Sequence, residues 1–400
     1  MSVPSRQSGL VFAFVACGHF LFHLLTALYL TVVLVLEVDW RLSYDELVSL
    51  WTMGALLVGL AAPLSGWLSD RWGKGLLMVC YFLGIGLATV FCGLTEGPLT
   101  LTAALALMGL FGAIYHPVGS AWLVANVRAK GKSLGVIGIF GALGVALASL
   151  TAGSLIELQS WRLAFVLPGS VAVGVGLVLW VLLARGLVVE RTQDLEPLPE
   201  ASRADIRRAF AVLAVTMSGT TIIFTAFTTL LPKWMDLELA SALGENLTAL
   251  GAVITVVYLV GASSQLLGGH MGDKGAAKTA YILCYALKSA ALAAACVMTG
   301  WSLVVLAILV VFAFDIAAPI ESLLIARYSP SRRRGLAYGF RNGLAVIGAP
   351  LGVQLVARFY TPADGFFWVL LSLAAIAVVV MVFSFALPRD RRRSAAGEFA

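Results

Sequence analysis

The stretch Gly66–Lys74, "GWLSDRWGK", decides how this chain is read. It interrupts an apolar sequence with an acid and two bases, framed by glycines. An apolar run precedes it over 46–69 and another follows over 75–95. Charge at hydrocarbon depth costs several kcal/mol unless it faces protein or water. A charged turn between two such runs therefore reads as the surface connection of two membrane-crossing helices. Asp70 begins the turn, Arg71 follows it, and Gly66 and Gly73 permit close approach or unusual dihedrals.

Working outward, the rest of the chain agrees. Of its 400 residues 60% are hydrophobic and 12% charged, against about 25% charged in a soluble globular chain. The apolar runs are long enough to cross a hydrocarbon core of about 30 Å. Twelve spans are expected, at 9–36, 46–69, 75–95, 98–126, 133–156, 161–185, 208–235, 243–269, 276–299, 301–327, 336–360 and 364–387. The fold class is an all-α membrane protein. The long polar connector "LVVERTQDLEPLPEASRADI" (187–206) splits it into six spans and six. The expected units are an N-terminal six-helix bundle (1–186), a cytoplasmic linker (187–207), a C-terminal six-helix bundle (208–388) and a basic tail (389–400).

An even number of spans puts both ends on one side. With the N-terminus inside, 22 of the 27 Lys and Arg residues fall in inner loops, ends and helix termini. The outer loops hold Arg41, Arg162, Lys233 and Arg358, and Lys288 lies within a span. That bias places both termini in the cytoplasm; the membrane expected is a plasma membrane, a bacterial inner membrane. No removable leader is expected. The tail "PRDRRR" (388–393) reads as an anchor beside anionic lipid rather than a nucleic-acid contact. Cys17, Cys80, Cys92, Cys284 and Cys296 all lie in apolar runs without CxxC spacing, as packing residues. Trp40, Trp51, Trp161, Trp234 and Trp301 fall near span ends, where tryptophan commonly anchors at the interface.

The halves repeat. "GWLSDRWGK" has a counterpart in "GHMGDKGAAK" (269–278), aligning Asp70 with Asp273 and Arg71 with Lys274. "HPVGSAWL" (116–123) aligns with "APIESLLI" (318–325), matching Pro117 to Pro319. Gly131 and Gly135 match Gly335 and Gly339. Repeated six-helix halves of like orientation are a transporter plan, with substrate held between them near the midplane.

"GWLSDRWGK", the twelve spans and the degenerate second copy together resemble the major facilitator superfamily, whose loop motif reads G-x-x-x-D-R/K-x-G-R/K. "CGHFLFH" (17–23) and "YHPVGSA" (115–121) resemble its fosmidomycin-resistance type branch. The span 5 stretch "GIFGALGVALASLTAG" (138–153) keeps the glycines of the family's antiporter signature but lacks its proline. The resemblance implies two six-helix bundles that rock about a central site lined by spans 1, 4, 7 and 10. It also implies a latch, in which Asp70 faces the start of span 11 and Asp273 the start of span 5. A carboxylate at a helix N-terminus is favoured by the dipole.

The intramembrane polar residues supply the candidate site. His19, His116, Asp315 and Lys288 each lie about 15–18 Å from the cytoplasmic end of their span, at 1.5 Å per residue. His19 and His23 share a helix face at i, i+4, which Thr26 continues. By the resemblance His19, His23, Thr26, Tyr115, His116 and Asp315 surround one cavity. Three readings stand: proton or substrate handling, interhelical hydrogen bonding, or a three-histidine metal site. Lys288 and Asp315 are expected to pair within the membrane, and Glu321 and Arg341 near the inner gate. The glycines at 135, 138, 141 and 144 permit close helix packing.

The function expected is secondary active transport, by proton-coupled efflux of a small organic compound, anionic or amphipathic. No ATP-binding P-loop is present. The alternatives are a proton-coupled importer of a small organic anion, or a sensor or scaffold that does not transport. No enzyme activity, resident cofactor or metal is assigned. The partners expected are a small-molecule substrate, protons and membrane lipid, with the chain a monomer.

Overall fold

A computed structural model of the chain describes residues 6–126, 130–188, 203–273, 276–328 and 348–388. The described residues are helical, apart from short turns and one bridge between Thr361 and Gly365. Span 1 is α1 (Arg6–Asp39). Span 2 is broken into α2 (Tyr44–Leu50), α3 (Thr52–Leu60) and α4 (Ala62–Trp72). Its axis bends by 45° between Leu60 and Ala62. The reason lies at Pro63, in the first turn of α4. Its ring and missing N–H cannot continue the α3 ladder. Span 3 is α5 (Lys74–Gly93).

The turn falls later than expected: Asp70 and Arg71 still belong to α4, and the break is confined to Gly73. Gly73 closes α4 at φ 90°, a left-handed conformation that side chains rarely adopt, and α5 begins at the next residue.

Span 4 is α6 (Pro98–Gly112) and α7 (Tyr115–Asn126). Spans 5 and 6 are α8 (Lys130–Leu158) and α9 (Trp161–Ala184). Span 7 is α10 (Arg203–Leu243), longer at both ends than the apolar run. Span 8 is α11 (Leu247–Ser263) and α12 (Gln265–Asp273). Spans 9 and 10 are α13 (Ala277–Ala295) and α14 (Trp301–Tyr328). Span 11 is described only over α15 (348–359), and span 12 is α16 (Phe367–Ser384). Among the described residues nine helices are long and apolar enough to cross a membrane, or ten with the bent pair. α13, which carries Lys278 and Lys288, and α15, the described part of span 11, correspond to the other two expected spans. The basic tail and most of the linker lie outside the described residues.

Packing follows the repeat. α5 lies against α9 as α13 lies against α16, the third and sixth spans of each set of six. α1 packs on α8, and α8 packs on α11 across the middle of the molecule. Large apolar side chains such as Leu87, Val178, Trp180, Val305 and Val382 stay exposed, as lipid-facing residues do. Trp51, Trp161 and Trp234 are instead buried. They pack inside the protein rather than anchoring at its rim.

Spans 1–6 and 7–12 touch through polar contacts at the end where α1 stops. Lys233 Nζ lies 2.9 Å from Glu37 Oε2 and 3.8 Å from Asp236 Oδ2. The Tyr44 hydroxyl donates to the Thr229 carbonyl at 3.0 Å, and Gln354 Nε2 donates to Thr52 Oγ1 at 2.7 Å. Tyr44 is placed by a capping box: the Ser43 N–H and hydroxyl both reach Glu46 Oε2 at 2.9 Å.

Candidate functional site

The site begins with the break in span 4. Pro117 cannot donate to the Ala113 carbonyl, and the chain resolves this by a turn at 113–114. α7 then restarts at Tyr115, so the proline falls within its first turn, where it is tolerated. The break sits directly before Tyr115 and His116. The matching Pro319 lies inside the continuous α14. The two halves therefore answer the same proline differently.

Tyr115 fixes this corner. Its hydroxyl donates to the Val15 carbonyl of α1 at 2.9 Å, while Tyr81 of α5 donates to the Gly18 carbonyl at 2.8 Å. The Tyr115 ring stacks on His19, centroids 5.1 Å apart and planes within 19°.

His19 and His23 of α1 and His116 of α7 come together. Their centroids are 4.9 Å apart for His19 and His23, 5.4 Å for His19 and His116, and 5.9 Å for His23 and His116. Phe22 stands edge-on to His116 at 4.9 Å. His19 Nδ1 lies 2.7 Å from the Ile137 carbonyl oxygen of α8. A carbonyl only accepts, so Nδ1 carries the proton and Nε2 is the ring's acceptor nitrogen. Gly141 of α8 makes this possible: a Cβ there would stand 2.6 Å from His19 Cε1 and 2.7 Å from Nε2. Thr26 donates back to the Phe22 carbonyl at 2.8 Å, within its own helix.

Asp315 is buried on α14. Gln265 Nε2 of α12 donates to its Oδ1 at 3.1 Å. Gln265 Oε1 lies 3.3 Å from where a Cβ on Gly138 would be, on the turn of α8 that also holds Ile137. Gln265 was not singled out from sequence. The rule that flagged the histidines, a polar group inside an apolar run, points to it equally.

The expected Lys288–Asp315 pair is not made as a direct contact. Lys288 is fully buried on α13, and its Nζ has no hydrogen-bond partner among the described residues. It sits 3.8 Å above the Tyr285 ring and 4.8 Å from that of Phe314. An aromatic face attracts the ammonium electrostatically, and here it takes the place expected of the carboxylate. Tyr285 in turn shares a hydrogen bond with Thr220 of α10. Glu321 is buried and accepts from the Tyr281 hydroxyl at 3.0 Å. Its expected partner Arg341 lies outside the described residues.

At the loop motif Asp70 and Arg71 are exposed, with the Arg71 guanidinium 3.7 Å over the Trp67 ring. α12 ends at Asp273, whose side chain, like all of Lys274 and the start of span 11, lies outside the described residues. An apolar cavity of about 360 Å³ between α1, α8 and α9, lined by Phe20, Leu24, Leu155 and Pro168, has no ionisable lining residue.

A helical bundle of repeated halves, with ionisable groups gathered at mid-span, defines a polytopic membrane protein of transporter architecture. The Major Facilitator Superfamily profile matches residues 15–242 and again 235–399, and the chain belongs to that family. It is 33% identical over 117 residues to puromycin resistance protein pur8 of Streptomyces alboniger, covering 28% of this chain and 23% of that one. It is 29% identical over 137 residues to the lysosomal dipeptide transporter MFSD1 of Gallus gallus, covering 33% and 31%. It is 30% identical over 133 residues to multidrug resistance protein MdtG of Proteus mirabilis, covering 32% and 33%. The chain thus spans about a quarter to a third of the length of these curated relatives. In fold it is similar to a bacterial homolog of the human lysosomal transporter Spinster, inward-facing and occupied. The TM-score is 0.74 at 16% identity, covering 98% of this chain and 100% of that one.

Proposed function

We propose that this chain is a secondary active transporter that exports a small organic compound, anionic or amphipathic, in exchange for protons. The observation that carries the reading is the convergence of His19, His23 and His116 from α1 and α7. A family fold built for alternating access here gathers three protonatable rings at mid-span. Histidine exchanges protons near neutral pH because its ordinary pKa is about 6.5. Asp315, held by Gln265, supplies a second protonatable group from the other half. The antibiotic-resistance names of pur8 and MdtG favour efflux, and the resemblance of "CGHFLFH" and "YHPVGSA" favours the fosmidomycin-resistance type branch.

In this reading residues 1–186 and 208–388 rock as two bundles joined by the 187–207 linker, with both termini in the cytoplasm of a bacterial inner membrane. The contacts of Glu37, Tyr44 and Thr52 with Lys233, Thr229 and Gln354 then form the outer gate. Asp70 and Asp273 latch the inner side when the outer gate opens. The chain works as a monomer. The test is purified protein in liposomes under an imposed pH gradient, challenged with a panel of antibiotics and metabolites. Movement of a solute against its gradient, driven by the proton gradient, supports the proposal. A panel in which nothing moves and nothing shifts thermal stability would sink it.

A further inference from the structure

The histidine cluster has a property that proton handling does not require. One ring nitrogen from each of His19, His23 and His116 lies within 4.8 Å of the other two. No described carboxylate or thiol belongs to the group. We propose that these three imidazoles bind one divalent transition-metal ion of the zinc type, leaving a fourth position open.

The argument is geometric. A tetrahedral ion with metal–nitrogen bonds of about 2.0–2.1 Å needs its ligand nitrogens about 3.3–3.4 Å apart. The separations here reach that distance if His23 and His116 close by at most about 1.5 Å, the difference between 4.8 Å and the tetrahedral spacing. His23 and His116 are each only partly buried by residue exposure. His19 is already oriented: Nδ1 donates to the Ile137 carbonyl at 2.7 Å. Metal-bound imidazoles almost always donate their second ring N–H to a carbonyl or carboxylate, which fixes the tautomer and strengthens the ligating nitrogen. This hydrogen bond is a second observation, independent of the clustering. It comes from α8, a different helix from those that carry the rings.

The ligand type sets the class of ion. Three imidazoles without oxygen donors suit zinc, nickel, copper or cobalt, whereas magnesium and calcium need oxygen ligands. Three protein ligands also leave zinc a fourth position, open to water or to a donor atom of a bound solute. The aromatic rings of Phe22 and Tyr115 flank the group. A cation held here therefore sits at the corner made by the span 4 break.

The inference rests on the reading that these rings line the transport cavity, but binding is measured without transport. The full chain is purified through a tag that contains no histidine and titrated with cobalt, whose visible absorption is intense in tetrahedral sites. The expected result is one cobalt ion per chain, displaced by zinc. His23→Ala and His116→Ala should each weaken binding by more than about 100-fold, since loss of a mere supporting partner costs 10–100-fold. His270→Ala, an exposed residue of α12, should bind as the parent does. Thermal unfolding without metal shows whether each variant is folded. Added zinc should raise the melting temperature of the parent and of His270→Ala only. Absence of saturable binding up to about 1 mM, a dissociation constant at the weak limit of specific recognition, overturns the inference. So does a spectrum that survives in folded His23→Ala and His116→Ala. Proton-driven export by a chain that binds no cobalt would defeat this inference and leave the proposed function standing. Cobalt binding lost in both variants, by a chain that moves no solute, supports the inference and defeats the proposed function.

Discussion

Gly141 of α8 lies flat against the imidazole of His19, so close that a Cβ would stand 2.6 Å from the ring. The glycine determines where the histidine sits, although it carries no chemistry of its own. Gly141→Val should therefore push His19 off the Ile137 carbonyl. Overpacking of this kind costs about 1–3 kcal/mol, read as a lower melting temperature. Solute movement should fall with it, while Gly135→Ala, with open space around its Cα, should leave both unchanged. Equal behaviour of the two variants would contradict the placement of His19.

Gln265 and Asp315 should behave as one unit. Their hydrogen bond joins α12 to α14 at 3.1 Å, and Gln265 also abuts α8 at Gly138. Gln265→Ala leaves a buried carboxylate without this donor, a loss of about 1–3 kcal/mol. A double-mutant cycle with Asp315→Asn should show a coupling energy of about 0.5–3 kcal/mol, because contacting residues are not additive. Strict additivity in thermal or denaturant unfolding would show that the contact carries no energy.

Lys288 presents the opposite case. Its ammonium is buried with no hydrogen-bond partner among the described residues and lies over the Tyr285 ring. A desolvated cation–π contact supplies about 2 kcal/mol, less than the several kcal/mol it costs to desolvate an ion. Lys288→Met should therefore melt no lower than the parent. A clear fall in melting temperature would mean that the charge, not the shape, is what the site holds.

The gate can be tested by cross-linking. Thr52 and Gln354 meet at 2.7 Å although 302 positions apart in sequence. With the native cysteines replaced, Thr52→Cys and Gln354→Cys joined by a short bifunctional reagent should stop solute movement, and cleaving the link should restore it. Undiminished movement in the cross-linked protein would remove these residues from the gate.

Much of this was legible because polar residues are rare in such a chain and each must be accounted for. The charged turn at 66–74 marked two spans, and its second copy marked the repeat. The i, i+4 spacing of His19 and His23 put them on one face, and depth alone brought His116 level with them. Other features left no such trace. The break at 113–114 and the intact helix at Pro319 share one motif, so the local sequence does not distinguish them. The Lys288–Tyr285 contact was hidden because depth gives height in the membrane but not direction around a helix. The role of Gly141 depends on α1 lying against α8, a packing between distant segments that no periodicity records. The buried tryptophans were misread for the same reason: position near a span end does not show whether another helix covers it.

The most direct test of the central claim is proton-driven solute movement in liposomes by His116→Ala and Asp315→Asn, each compared with the parent at matched protein density. Both variants should insert and fold, and both should lose movement driven by the pH gradient. Parent-like, pH-dependent movement in both would contradict that claim.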